Sequence, residues 1–157
     1  MLVPVELSRI LIREMTDTQF ITLKESDGDR SFPIAIGLPE AQAIERRLRN
    51  TTVPRPQTHD LLSSVINGLG GEIQSIIIHT LEDGTFYANL IVAQDGELLE
   101  IDSRPSDAIA LGVAEHVPIF VAEHVLAEAS SECEESSGQP DIMSEDESED
   151  DDDDSWI

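Results

Sequence analysis

The chain has 157 residues, enough for one ordinary domain with an appendage, and its 33 Asp+Glu against 9 Lys+Arg give a formal net charge of −24. So acidic a surface repels polyphosphates at long range and excludes sequence-blind binding through a broad basic patch, so any nucleic acid has to be met locally. A single cysteine, Cys133, allows no internal disulfide, and no stretch approaches the roughly 18 apolar residues of a membrane span or the core of a signal peptide. The expectation is a cytoplasmic protein with no membrane partner.

From Val3 to Ile12 the apolar residues fit a strand. "QFITLKE" and "RSFPIAIG" continue with β-branched and aromatic content around the turn "SDGD". "LPEAQAIERRLRN" changes period: Leu38, Ala41, Ile44 and Leu48 fall on one helical face, and Glu45, Arg46, Arg47 and Arg49 mostly on the other. Those arginines read as a solvated face, with nucleic-acid contact as the minority reading. In "THDLLSSVINGLGG", Thr58 is the expected N-cap, Leu61, Leu62, Val65, Ile66 and Leu69 the buried stripe, and Gly70 with Gly71 the left-handed stop.

Three strand-like runs follow, separated by the hairpin dipeptides Asp83-Gly84 and Asp95-Gly96. If Asp83-Gly84 is a two-residue loop with no bulge beyond it, Leu81 pairs with Phe86, His79 with Ala88 and Ile77 with Leu90. His79 then belongs to the core face, and Tyr87 and Asn89 to the opposite one. A helix starting near Ser103 to Pro105, a short strand and a final helical turn in "VPIFVAEHVLAEA" complete the body. The pattern predicts a single α+β domain over residues 1–129, with a mostly antiparallel or mixed sheet and three main helices. Residues 130–157 hold 13 acids and no base and have little to bury, which predicts a disordered acidic tail.

Two of the predicted helix starts carry the same lettering. "RPQTHDLL" and "RPSDAIAL" each place Arg-Pro, a hydroxyl residue and an aspartate before an apolar run. Free backbone N–H groups, the positive end of a helix dipole and a guanidinium are the parts of an anion site, and two such mouths brought together would hold one phosphodiester. Asp60, Asp102 and Asp107, with His59 beside them, are ligands of the type that hold Mg²⁺ or Mn²⁺ next to a phosphate. The plainer reading is capping, since Ser, Thr and Asp favour helix starts and an Arg pairs readily with a nearby carboxylate. Capping accounts for Thr58, Ser103 and one aspartate but does not call for His59 or both arginines.

The remaining candidates have plainer readings. His116 and His124 read as solvated, Glu40 as a dipole partner at a helix start, and Tyr87 as a half-buried strand residue with base stacking as the minority role. Walker, GxSxG, CxxC and HExxH patterns are missing from the sequence, which removes several enzyme classes.

"FPIAIGLPEAQAI", "RPQTHDLLSSVI", "DGTFYANLIV", "EIDSRPSDAIAL" and "PIFVAEHVL" resemble, in order, the signature blocks of the bifunctional nuclease domain family. The resemblance runs over roughly residues 3 to 126. It implies a single α+β domain, a homodimer, and cleavage of both DNA and RNA. Carried over block by block, the implied functional positions are Arg55, Thr58, His59 and Asp60 from the first mouth, and Asp102, Ser103, Arg104, Ser106 and Asp107 from the second. Glu40 and Tyr87 lie in other matching blocks.

The expected function is a divalent-metal-assisted nuclease acting on flexible or single-stranded DNA and RNA. In it Asp60, Asp102 and Asp107 hold Mg²⁺ or Mn²⁺, His59 acts as general base or stabilises a leaving oxygen, and Arg55 and Arg104 clamp the phosphate. The alternative is a non-catalytic module whose same polar cleft binds a small anion, a nucleotide or a partner's carboxylates.

Overall fold

Alternation of apolar and polar residues gives the first three strands one buried face. In β1 (Leu2–Leu11), β2 (Thr18–Glu25) and β3 (Ser31–Gly37), the buried apolar positions are Val3 and Val5, Ile21 and Leu23, and Phe32, Ile34 and Ile36. The computed structural model describes residues 1–137. They form an α+β unit around a seven-stranded mixed sheet of order β3-β2-β1-β7-β4-β5-β6, where β4 is Glu72–Glu82, β5 Thr85–Gln94, β6 Glu97–Ser103 and β7 Ile119–Ala122. Only the β4–β7 pairing is parallel.

The sheet curls strongly on itself. Phe32 of β3 stacks on Phe86 of β5 with ring centroids 5.4 Å apart, although four strands lie between them in the hydrogen-bonded order. The hollow is filled by α3 (Pro105–Gly112), whose small residues suit a buried helix: Ala108, Ile109 and Ala110 are fully enclosed. Helix α1 (Leu38–Leu48) packs against α3, and α2 (Thr58–Gly68) leans on α3 and β4. The last helix, α4 (Glu123–Ser137), buries Val125, Leu126 and Ala129. Helix α4 therefore continues beyond Ala129, and residues 130–137, expected to belong to a disordered tail, are helical. The remainder of that tail lies outside the described residues.

Both Asp-Gly dipeptides close two-residue hairpins, Glu82 pairing with Thr85 and Gln94 with Glu97. The φ values of 50° and 76° at Asp83 and Gly84, and 50° and 77° at Asp95 and Gly96, are left-handed at both central positions, as a type I′ turn demands. The expected register holds only next to the first turn. Leu81 does pair with Phe86, but Thr80 then pairs with Tyr87 and Ile78 with Ala88, so His79 is the extra residue of a bulge. It is half-buried, and its Nδ1 lies 2.8 Å from Thr80 Oγ1. His79 does not face Ala88 across the ladder, and the pairs beyond it become Ile77 with Asn89 and Ile76 with Leu90.

Two helical faces also differ from expectation. In α1, Arg47 is buried while Leu48 is 44% exposed. In α2 the expected buried stripe faces outward, with Leu61, Leu62, Val65 and Leu69 exposed and Ile66 half-buried; Ser63 is the buried residue. Position 47 stands three residues after Ile44 and six after Ala41, so helical geometry puts it over the core as surely as position 48. Among the described residues, no helix is long and apolar enough to cross a membrane.

Candidate functional site

The starts of α2 and α3 meet at one cleft of about 780 Å³. Thr58 and His59 from α2, Asp102 and Ser103 from β6, Arg104 before α3 and Asp107 within it all line this space, with Glu40 and Arg46 from α1 opposite. Leu62, Ile66, Leu90, Ile101 and Leu111 supply an apolar wall. Two segments far apart in the chain are thus juxtaposed, as the repeated lettering suggested.

At the first mouth the N-cap is Gln57, and Thr58 is the first helical residue. Asp60 folds back to accept the Gln57 backbone N–H at 2.9 Å. Its two oxygens also take Arg46 Nη1 at 2.9 and 3.1 Å, and Oδ1 takes Arg47 Nη1 at 2.7 Å. Arg47 spends its other donors on the end of α3, where Nε donates to the Ala110 carbonyl and Nη2 to the Leu111 carbonyl. Burial pushes the Asp60 carboxyl up, but the Gln57 amide and the two guanidinium groups outweigh that and hold it at about 2. Asp60 therefore sits behind the cleft as the anchor of a cross-helix clamp. Arg46 Nη2 is sealed from solvent and has no partner among the described residues.

At the second mouth Arg104 is the N-cap and Pro105 the first helical residue, a position where its missing N–H costs nothing. The Arg104 guanidinium forks onto Asp107, Nε to Oδ2 at 2.8 Å and Nη2 to Oδ1 at 3.1 Å, and Nη2 also reaches Glu40 Oε1 at 3.2 Å. Asp107 Oδ1 in turn lies 2.9 Å from His59 Nε2. Burial opposes the charge on Asp107, yet the bonds from Arg104 and His59 prevail and hold its carboxyl below the usual range. A carboxylate beside Nε2 fixes the imidazole with its proton there, leaving Nδ1 as an acceptor.

Not every expected residue gathers at this cleft. Ser106 is buried and lines a neighbouring cavity of about 390 Å³. Arg55 is exposed in the connection between α1 and α2, and Tyr87 is exposed on β5; neither lines either cavity. Asp60, Asp102 and Asp107 do not form a cation cage: among the described residues no group of three or more His, Cys, Asp or Glu is arranged to hold a metal ion. Guanidinium groups already occupy both oxygens of Asp60 and both of Asp107. Asp60 and Asp107 are thus engaged by guanidinium groups rather than gathered with Asp102 into one cation site.

Sequence reasoning gave Gln57 no site role, gave Arg46 and Arg47 nucleic-acid contact only as a minority reading, and took Glu40 as a dipole partner lying in a matching block. For Arg47 the signal was its helical phase. For Glu40 it was position alone, in the first turn of a helix, with no sequence mark of the Arg104 it meets.

The model of the family described as bifunctional nuclease domain matches residues 21–134. The chain is 39% identical over 120 residues to an uncharacterized protein of Mycobacterium tuberculosis, covering 76% of this chain and 71% of that one. It is 27% identical over 118 residues to bifunctional nuclease 1 of Oryza sativa subsp. japonica and 26% over 109 residues to bifunctional nuclease 2 of Arabidopsis thaliana. These matches cover 73% and 67% of this chain but only 36% and 33% of the plant proteins, so the likeness is to one part of each. This chain belongs to the bifunctional nuclease domain family.

Proposed function

We propose that this chain is a nuclease that hydrolyses phosphodiester bonds of flexible or single-stranded DNA and RNA in the cleft between α2 and α3. The observation that carries the reading is the His59–Asp107 pair at 2.9 Å, backed by Arg104 and open to the cleft. Asp107 orients the ring, and Nδ1 removes a proton from a water whose oxygen attacks phosphorus. The bond from phosphorus to the leaving sugar oxygen breaks, and that oxygen takes its proton from solvent at the cleft mouth. Water as nucleophile suits both polymers, because it needs no 2′-hydroxyl.

Arg104 is 63% exposed at its side chain and, among the described residues, its Nη1 has no hydrogen-bond partner, which suits it to the phosphoryl oxygens. No step is routed through a metal. The apolar wall offers base faces a surface, and the open cleft favours a strand that can bend into it. The test is cleavage of labelled single-stranded DNA and RNA by purified protein, in parallel with Mg²⁺, Mn²⁺ and a chelator, beside Asp107→Asn. Cleavage that Asp107→Asn abolishes supports the reading; equal cleavage by that variant rejects it.

A non-catalytic anion-binding module is the second reading. It is favoured by the way Arg104 already satisfies Asp107, while Arg46 and Arg47 satisfy Asp60. Calorimetry with mononucleotides and short oligonucleotides separates the two, since tight binding without turnover supports the module.

The proposal includes a homodimer in a cytoplasmic setting, the latter supported by the lone cysteine. The outward residues of α2 that do not line the cleft, Leu61, Val65 and Leu69, support self-association. Two copies of so acidic a chain repel everywhere except where such an uncharged surface meets its own copy.

A further inference from the structure

The smaller cavity shares Arg104 with the cleft. It is lined by Arg104, Pro105 and Ser106, by the stretch from Ile34 to Gly37, and by Asp17, Thr18 and the hairpin residues from Gly84 to Phe86. Because Pro105 has no N–H, the amides of Ser106 and Asp107 are the first helical donors of α3 without a partner inside the helix.

A second observation points the same way. Ser106 is only 5% exposed, yet its hydroxyl has no hydrogen-bond partner among the described residues. It is not sealed in either, since Arg46 Nη2 is the sole buried, unpartnered side-chain atom among them. The hydroxyl therefore reaches the cavity it lines. A buried hydroxyl left unmatched in a structure with few such groups calls for an acceptor from outside.

We infer that the smaller cavity binds a second phosphodiester, next along the strand to the one in the cleft, so that successive phosphates share Arg104. This rests on the nuclease reading above and names its substrate as an oligonucleotide with at least two linkages. The Ser106 hydroxyl, the α3 amides and Arg104 donate to the phosphate oxygens. Asp17 on the rim opposes a doubly charged terminal phosphate more than a singly charged internal one.

The experiment measures anisotropy of labelled, slowly hydrolysed phosphorothioate oligodeoxynucleotides of two, three and four nucleotides, together with a dinucleotide bearing a 5′-phosphate. A trinucleotide is expected to bind about tenfold more tightly than a dinucleotide, the gain of one further set of charge-assisted bonds. The 5′-phosphorylated dinucleotide should gain less. Ser106→Ala should bring the trinucleotide down to dinucleotide affinity and leave the dinucleotide unchanged. Thr85→Tyr, at an exposed hairpin position that fills the cavity mouth without touching α3, should do the same. Equal affinity for two and three nucleotides, or a length step that survives both variants, overturns the second subsite while leaving the cleft intact. Binding of no length at all removes the nuclease reading along with it.

Discussion

His59 on α2 and Asp107 on α3, 48 positions apart in the chain, share a hydrogen bond of 2.9 Å. Their contact exists only because α3 is sunk in the sheet and α2 is clamped to it, so it tests both fold and chemistry. His59→Gln and Asp107→Asn are expected to lower kcat by about 10²- to 10³-fold, the range of a lost general base or its orienting partner, with little change in KM. Single-turnover cleavage of a labelled single strand reads the effect. A fall in KM-dependent binding at constant kcat is the contrary result.

Asp60 is expected to matter for stability before chemistry. Asp60→Ala strands the guanidinium groups of Arg46 and Arg47, whose side chains are 14% and 9% exposed, without a counter-charge. The cost is about 3–5 kcal/mol, visible as a lower urea midpoint at neutral pH. Arg47→Lys should also destabilise, since a single ammonium cannot serve a carboxylate and two carbonyls in the geometry of a fork. A Lys variant as stable as the parent contradicts the clamp.

Acid should undo the same clamp. Asp60 has its carboxyl lowered from 3.8 to about 2 in the folded chain, so the unfolded chain binds the proton more readily. The associated stability, about 2 kcal/mol, is complete above about pH 4 and is lost as pH falls towards 2. Asp107, also lowered, acts in the same direction. Urea midpoints measured between pH 2 and 6 should fall in this window for the parent and fall less for Asp60→Asn.

The outward face of α2 gives a prediction about assembly. Val65→Asp places a charge within the apolar stripe at a position 44% exposed in the single chain. Light scattering should show twice the chain mass of 17.2 kDa for the parent and the single mass for the variant, with the folded monomer retained. A parent that runs as a monomer removes the dimer proposal.

Strand alternation, the two Asp-Gly turns and the matched helix starts were legible because each is a local rule with a local cause. The bulge at His79 was not, for nothing in "IIIHTLEDG" marks which residue will drop out of the ladder. The apolar stripe of α2 was visible, but periodicity states only that a face is apolar, not that this chain buries it. Arg47 shows the opposite failure: a charged letter was assigned to solvent although its phase placed it over the core, where Asp60 and the α3 carbonyls make its burial tolerable. At the site, the convergence of His59 and Asp107 was legible from the repeated lettering. The partners that hold it, Glu40 and Arg46 above all, come from α1, whose sequence shows no trace of the pairing.

Helix α3 has eight residues, and every one except Asp107 is buried. Natural drift has little room to alter that floor, because a change of size at most of these positions disturbs the centre of the molecule. Diversification of substrate range within such a scaffold must fall to the rim, to β6, the first turn of α2 and the Asp83-Gly84 hairpin, where side chains can change at little cost to the whole.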